Sequence, residues 1–379
     1  MSQIKKEKFS LKDELFNLQK VEKIAQEIKE VYPTFDASNF TKETLKAFPK
    51  LELKERIYHI RDMLAKYLPD DYREAVNILL KALPPELDPS CGDDDFGDFI
   101  YAPYSEYVTA YGCNKEYLDF SLQALREITK RFSVEYAIRD FINTYPDETL
   151  AMLEKCAKSK NYHERRLASE GLRPKLPWAK KLNIDYTEPL RHLDWLYSDT
   201  TRYVTRSVAN HLNDIAKIDA PLVINTLKRW KKQNRQHVKE MAFIVTHSLR
   251  TLVKNGNEEA LALLGYEKNP AIKVESVTLK SDTVQVGQAL EFEVVLVAQD
   301  DAILMVDYVM HFRTKAGSLS PKVHKLKKLT LQKGKTITLK KKHPFKANMS
   351  TRTLYEGEHV LEVQINGTIV YNTSFELKF

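Results

Sequence analysis

The chain has 379 residues, too many for one ordinary core, so two or three domains are expected. Its 43% hydrophobic and 29% charged content excludes a fibrous or disordered chain, and no apolar run approaches the ~20 residues that span a bilayer, so no membrane association is expected. The net charge of +7 is uneven: residues 1–159 hold 23 basic against 29 acidic side chains, residues 160–255 hold 19 against 9, and residues 271–379 hold 16 against 11. Such a distribution points to a polyanion partner for the middle and the C-terminal part, the alternative being a solvated basic face.

The opening MSQIKKEKFSLKDEL is charged and lacks the apolar segment of a signal peptide. Cys91, Cys113 and Cys156 are scattered, odd in number and without C-x-x-C spacing. A reducing, cytoplasmic location follows as an expectation, with no disulfide framework and no thiolate metal site.

Residues 1–268 read as helices, and 271–379 as a separate β domain. "LKDELFNLQKVEKIAQEIKEVYP", "LKERIYHIRDMLAKYLP" and "DYREAVNILLKALP" carry apolar residues at helical spacing. The acidic "DPSCGDDDFGD" (88–98) breaks them as a loop, and its spacing does not fit an EF-hand. Beyond it "SVEYAIRDF", "ERRLASEGL", "TRSVANHLNDIA" and "KEMAFIVTHSL" can be laid over one another, placing Ala137, Ala168, Ala209 and Ala242 in one column. The spacing suits two-helix HEAT-like units whose small residues let neighbouring helices approach. An all-α HEAT-like-repeat solenoid is expected.

After Pro270 the helical period disappears. "VESVTL", "LEFEVVLVA", "LMVDYVMHFR", "KKLTLQ", "KTITLKKKHPF", "HVLEVQIN" and "TIVYNTSFEL" form about seven short β-branched segments separated by turn residues. Such spacing predicts an immunoglobulin-like β-sandwich.

Nucleotide-binding glycine loops, H-E-x-x-H and G-x-S-x-G are absent from the sequence, and no metal or cofactor is expected. His192, His211 and His247 fall in repeat helices, where packing or hydrogen bonding is their simpler role. The carboxylates carry more information. With Val134, Arg165, Arg206 and Lys239 in one column, Glu135, Glu170 and Asp214 stand at offsets 1, 5 and 8 and would point the same way from parallel helices. Either they form a site in a basic region, or each pairs with a neighbouring cation and keeps the repeats in register. Arg165, Arg166, Arg173, Lys175, Arg202 and Arg206 flank them as candidate phosphate contacts. Trp178, in "RPKLPW", is either a core plug or a ring presented to a ligand.

"ERRLASEGLRPKLPW", "VTRSVANHLNDIAK", "ALALLGY" and "RFSVEYAIRDF" resemble the motifs of the HEAT-like-repeat alkylpurine DNA glycosylases, specifically the AlkC branch, with Tyr136 where a Phe is usual. "VDYVMHF", "SPKVHKLKK" and "HPFKANMSTRTLYEGEH" resemble the immunoglobulin-like module fused to one subgroup of that branch. The resemblance runs from about residue 100 to the end. It implies a monofunctional glycosylase in base excision repair that acts on double-stranded DNA as a monomer. The expected reaction is hydrolysis of the N-glycosidic bond of cationic bases, 3-methyladenine and as a further candidate 3-methylcytosine, without a base-flipping pocket.

An alkylated base is already a good leaving group, so the help it needs is at the sugar. The resemblance implies that Glu135, Glu170 and Asp214 stabilise the oxocarbenium character of the deoxyribose and orient water. It also implies an aromatic role for Trp178 at the lesion. For the sandwich, Lys322 and Lys325, with Lys327, Lys328 and Lys340 to Lys342, either clamp the duplex or form a solvated face. The competing class is a non-catalytic HEAT–immunoglobulin scaffold that binds nucleic acid or an acidic protein.

Overall fold

The computed structural model describes residues 10–93, 96–347, 349 and 352–379. Among them sixteen α-helices and two short 3-10 helices precede eight strands. Helices α1 (Leu11–Leu15), α2 (Leu18–Val31), α3 (Ala37–Ala47), α4 (Leu53–Tyr67) and α5 (Tyr72–Lys81) lie before the acidic loop. Next come α6 (Ala102–Gly112), α7 (Leu118–Thr129), α8 (Ile138–Thr144), α9 (Pro146–Ala157), α10 (Tyr162–Glu170), α11 (Leu190–Leu196) and α12 (Arg202–Ile215). The series closes with α13 (Ala220–Gln233), α14 (Val238–Ser248), α15 (Arg250–Lys254) and α16 (Glu258–Leu263). No described helix is long and apolar enough to cross a membrane.

The starts of these helices are written in short polar side chains. Asn17, Asp36, Asp71, Asn161 and Asn257 accept backbone N–H groups as N-caps, and Glu52 with Glu55 forms a capping box on α4. Each such cap satisfies a donor that the first turn leaves without a partner, worth about 1 kcal/mol.

The chain packs as two compact units, one of residues up to Ile215 with Gln233–Ser248, the other of Ala216–Lys232 with Leu249–Phe379. In the first, helices stack in two layers, with α10 against α12 and α12 against α14 in one layer and α9 meeting both α10 and α11. Because α12 lies between two neighbours it is buried nearly all round, from Tyr203 and Val204 to Asp214 and Ile215. Ala137, Ala168 and Ala209 are buried as the alignment requires. Ala242 is exposed, so the small-residue column ends at α12.

The strand segments form two sheets. One has the order β1 (Ile272–Leu279), β3 (Ala289–Ala298), β6 (Thr336–Pro344); the other runs β2 (Thr283–Gln285), β8 (Thr368–Lys378), β7 (Gly357–Ile365), β4 (Ala302–Arg313), β5 (Leu319–Leu331). All pairings are antiparallel except β2 with β8. Period-two patterning aims Leu290, Phe292, Val294 and Leu296 of β3 at Leu304, Val306, Tyr308 and Met310 of β4, and these make the sandwich core. Eight strands replace the seven expected: the three-residue β2 is too short to show a period, and β5 starts at Leu319 because its lysine-rich first half pairs with β4 through backbone groups.

In this second unit α16 covers the outer face of β4, where Leu261, Tyr266 and Met305 form a small apolar cluster. Gly367 makes that approach possible. A Cβ there would stand 2.7 Å from the Cα of Gly256, and both glycines have positive φ.

Candidate active site

Glu170 is the last residue of α10, where the helix dipole disfavours an anion. Two guanidinium groups reverse that preference. Arg173 donates from Nη1 to Glu170 Oε1 at 2.6 Å, and Arg166 brings Nη2 to 3.7 Å from the same oxygen. Ser207 of α12 donates to Oε2 at 2.6 Å. Burial pushes the Glu170 carboxyl up, but Arg166, Arg173 and Ser207 outweigh it and hold the group below the usual carboxylate range. It is therefore ionised at neutral pH.

The ion pairs continue on both sides. Arg173 Nε donates to Asp214 Oδ2 at 3.0 Å. Arg166 Nη1 donates to Glu135 Oε2 at 3.1 Å and to Ser133 Oγ at 2.6 Å, and its guanidinium lies 4.5 Å over the Tyr203 ring. The result is an alternating row, Glu135–Arg166–Glu170–Arg173–Asp214. Burial disfavours the charge on Arg166, but Glu135 and Glu170 more than offset it and raise its pKa. Arg173 is raised in the same way by Glu170 and Asp214. Side-chain exposure falls from 14% at Glu135 to 6% at Glu170 and 2% at Asp214, so the row opens at its Glu135 end.

The three acids thus converge, but not by the expected helical phase. Glu170 and Asp214 do project from neighbouring repeat helices. Glu135 instead lies in the turn before α8, which begins only at Ile138. The reason is local pairing: Phe132 bridges Gly97, and Ser133 N–H donates to Phe96 O at 3.1 Å, which keeps the chain extended up to the turn.

The expected phosphate contacts divide. Arg166 and Arg173 are turned inward among the acids. Arg165 binds Asp199 at 2.5 Å and the carbonyls of Ser159 and Lys160. A guanidinium matched to carboxylates ties the repeats together, and in this structure these three arginines all stand in such pairs. Arg202 pairs with Glu240 at 2.6 Å, and Arg206 with Asp93 of the acidic loop at 2.5 Å. Lys175 is exposed. On the sandwich, Lys325 is exposed and Lys322 half-buried on β5, whereas Lys340 and Lys342 pair with Glu293 and Glu291 on the three-stranded sheet. The sandwich lysines are therefore split between two sheets.

Trp178 is the exposed alternative of the two readings: 78% of it is accessible. It also has φ of +62°, a left-handed conformation that costs a bulky L-residue about 1–2 kcal/mol. Its neighbours maintain that conformation. Lys54 Nζ donates to Trp178 O at 2.7 Å, and Arg139 Nε donates to Lys180 O at 2.6 Å. Arg139 Nη1 also binds the carbonyls of Gly171 and Arg173, both at 3.0 Å. Burial, with Arg173 beside it, pulls the Arg139 pKa down to about 10, and it remains charged at neutral pH.

Ser133, Arg139, Tyr203 and Ser207 were not singled out by pattern. Ser207 did carry a signal, since it occupies the same column as Glu135 in the repeat alignment. His211 is buried and hydrogen-bonded to Ser169 O at 3.0 Å, a packing role. The described carboxylates of the acidic loop meet protein partners: Asp93 binds Arg206, and Asp98 binds Lys20 and Lys23. Asp94 and Asp95 lie outside the described residues.

Comparison with known proteins extends this picture. Residues 273–379 match the family model described as the C-terminal Ig-like domain of the uncharacterised protein YhaZ. The uncharacterised protein YhaZ of Bacillus subtilis (strain 168) is 31% identical over 369 residues, covering 96% of this chain and 98% of that protein. Among solved structures, the Pseudomonas fluorescens alkylpurine DNA glycosylase AlkC, bound to DNA containing an abasic site analog, superposes with a TM-score of 0.87. It is 30% identical, with 98% of this chain and 100% of that chain covered.

Proposed function

Because the chain belongs to the AlkC family and carries its C-terminal Ig-like domain, we propose that it is a DNA glycosylase for alkylated bases, residues 1–268 forming the catalytic and DNA-binding part. The observation that carries this reading is the row Glu135–Arg166–Glu170–Arg173–Asp214, three carboxylates held by two arginines at one place in the repeats. The substrates proposed are cationic bases, 3-methyladenine first and 3-methylcytosine second, in double-stranded DNA. The protein acts as a cytoplasmic monomer that hydrolyses the bond without a lyase step.

The geometry supports a chemistry for this reaction. As the base leaves with the bonding electrons, positive charge grows on the deoxyribose, and a fixed anion beside it lowers the barrier because it needs no reorganisation. Glu135 suits that position: one of its oxygens is held by Arg166, and its side chain is the most open of the three. Glu170 and Asp214, tied to Arg173, keep the arginines in place and set the field around Glu135. A water between Glu135 and the sugar completes the hydrolysis. Trp178 offers its exposed face to the lesion.

The test is release of free 3-methyladenine from methylated DNA. Wild-type protein should release it, and Glu135→Gln should lower the single-turnover rate by roughly 10²–10³-fold. A wild-type protein that binds DNA and releases no base overturns the proposal. It would leave the scaffold reading, which the pairing of every acid with an arginine favours.

A further inference from the structure

Trp178 carries its ring outside the packed interior, so the direction of that ring depends on the backbone beneath it. The segment around it is held unevenly. Helix α8 fixes the residues that follow: Arg139 donates to Lys180 O at 2.6 Å, Asn143 Nδ2 to Lys181 O at 2.9 Å, and Asn183 N–H to Asn143 Oδ1 at 2.8 Å. None of these bonds reaches Trp178 itself. Its carbonyl accepts from one donor among the described residues, Nζ of Lys54 at 2.7 Å, which lies 124 residues earlier in the chain.

The place of Lys54 on α4 is an unfavourable one for a cation. The helix begins at Leu53 and is fixed by the capping box of Glu52 and Glu55, so Lys54 lies in the first turn, where the helix dipole disfavours positive charge. The neighbouring Glu52 does not offset this, because it is paired with Lys12 at 2.7 Å. Two features compensate. One is the oxygen of Trp178, and the other is the ring of Tyr136, whose centroid is 5.8 Å from Lys54 Nζ. Tyr136 directly follows Glu135, the open end of the acid row. A single ammonium group therefore stands between the backbone of the exposed tryptophan and the residue next to that acid. Lys54, Tyr136 and Trp178 all line one cavity, so close packing does not wedge them on that side and the hydrogen bond sets their spacing.

We infer that Lys54 is a positioning residue of this site: through Trp178 O it holds the left-handed backbone that aims the indole ring, and it brings the N-terminal helices into the reaction. The inference rests on the glycosylase reading, with Trp178 at the lesion. Lys54 precedes the motifs that carry the family resemblance, which therefore assigns it no role. The physical gain is preorganisation. A ring that turned freely would lose that freedom on meeting the lesion, whereas a ring already aimed does not.

The experiment is a double-mutant cycle between Lys54→Met and Trp178→Ala in the full-length protein, read as single-turnover release of 3-methyladenine from methylated DNA. Lys54→Met should lower the rate roughly 2- to 30-fold, the span of one cation–aromatic contact. Lys54→Arg keeps a donor and should restore most of that loss, with melting temperatures as the folding control. In the Trp178→Ala background Lys54→Met should cost nothing further, because the residue it acts through is gone. The salt slope of DNA binding should stay that of wild type. Losses that multiply, or a slope reduced by about 0.9, make Lys54 an independent phosphate contact and overturn the inference while keeping the glycosylase. A second readout does not depend on the chemistry: time-resolved anisotropy of Trp178 fluorescence in a Trp195→Phe background, where the remaining Trp230 is fully buried. Lys54→Met should widen the fast motion of Trp178, and unchanged motion overturns the inference even where base is released. Wild-type protein that releases no base overturns the glycosylase reading and the catalytic role of Lys54 with it, and the anisotropy then decides whether Lys54 holds Trp178.

Discussion

Arg139 reaches out of α8 to the carbonyl of Lys180 at 2.6 Å, two residues beyond Trp178. With its bonds to Gly171 and Arg173 it closes the loop that follows α10, so the arginine that bridges two acids and the exposed tryptophan are held by the same buried guanidinium. Removing it would leave three carbonyls without a donor. Arg139→Met should lower stability by about 2–4 kcal/mol. Thermal or urea denaturation checks this, and an unchanged midpoint would refute the bracing role.

The acids should differ in what their loss does. Glu170 sits between two arginines, so Glu170→Gln should cost about 3–5 kcal/mol of stability as well as activity. Glu135 is at the open end, and Glu135→Gln should cost under about 1 kcal/mol of stability while reducing base release. Parallel melting curves and single-turnover rates separate the two. Equal destabilisation by both variants would mean that the row is purely structural.

Trp178 contributes exposed surface and a strained backbone. Trp178→Ala should change stability by no more than about 0.5 kcal/mol, because the ring packs against little. Trp178→Gly should be the more stable of the two, since glycine accepts positive φ freely. Both should impair base release. A large loss of stability in the alanine variant would place the ring in a packing role instead.

Acid should destabilise the first unit in a defined window. Burial depresses His192 and His211 to about 4, so both are neutral in the fold while the unfolded chain takes up protons near its ordinary value of about 6.5. Their contribution is complete above that ordinary value and is lost as pH falls from it toward 4. Glu170, lowered in the fold, acts in the same sense at the acid end: its contribution is present above the ordinary carboxylate value and is lost as pH falls through the folded one. The melting temperature should be level from about pH 8 to about pH 6.5 and fall below that. His211→Asn should flatten the upper part of the fall, and a pH-independent melting temperature would contradict the assignment.

For the sandwich, the clamp reading needs Lys322 and Lys325 at phosphates. Replacing both with Gln should reduce the salt slope of DNA binding by about 0.9 for each phosphate that is no longer neutralised. An unchanged slope would leave them as a solvated face.

The sequence by itself determined what depends on near neighbours in the chain. Helical spacing, the Asn and Asp caps and the β-branched segments after Pro270 are local, and the helices and most strands follow from them. The placement of Glu170 and Asp214 on repeat helices was also legible, because such helices carry their side chains in a common phase. Only the tertiary structure decided the rest. Glu135 reaches the row from a turn because Phe132 pairs with Gly97, 35 residues earlier in the chain. Arg166 and Arg173 face the acids because Ser207, Glu135 and Asp214 arrive from other repeats. The charge of a side chain is written in the sequence, but its partner is chosen by packing, and that choice separates a phosphate contact from an internal brace.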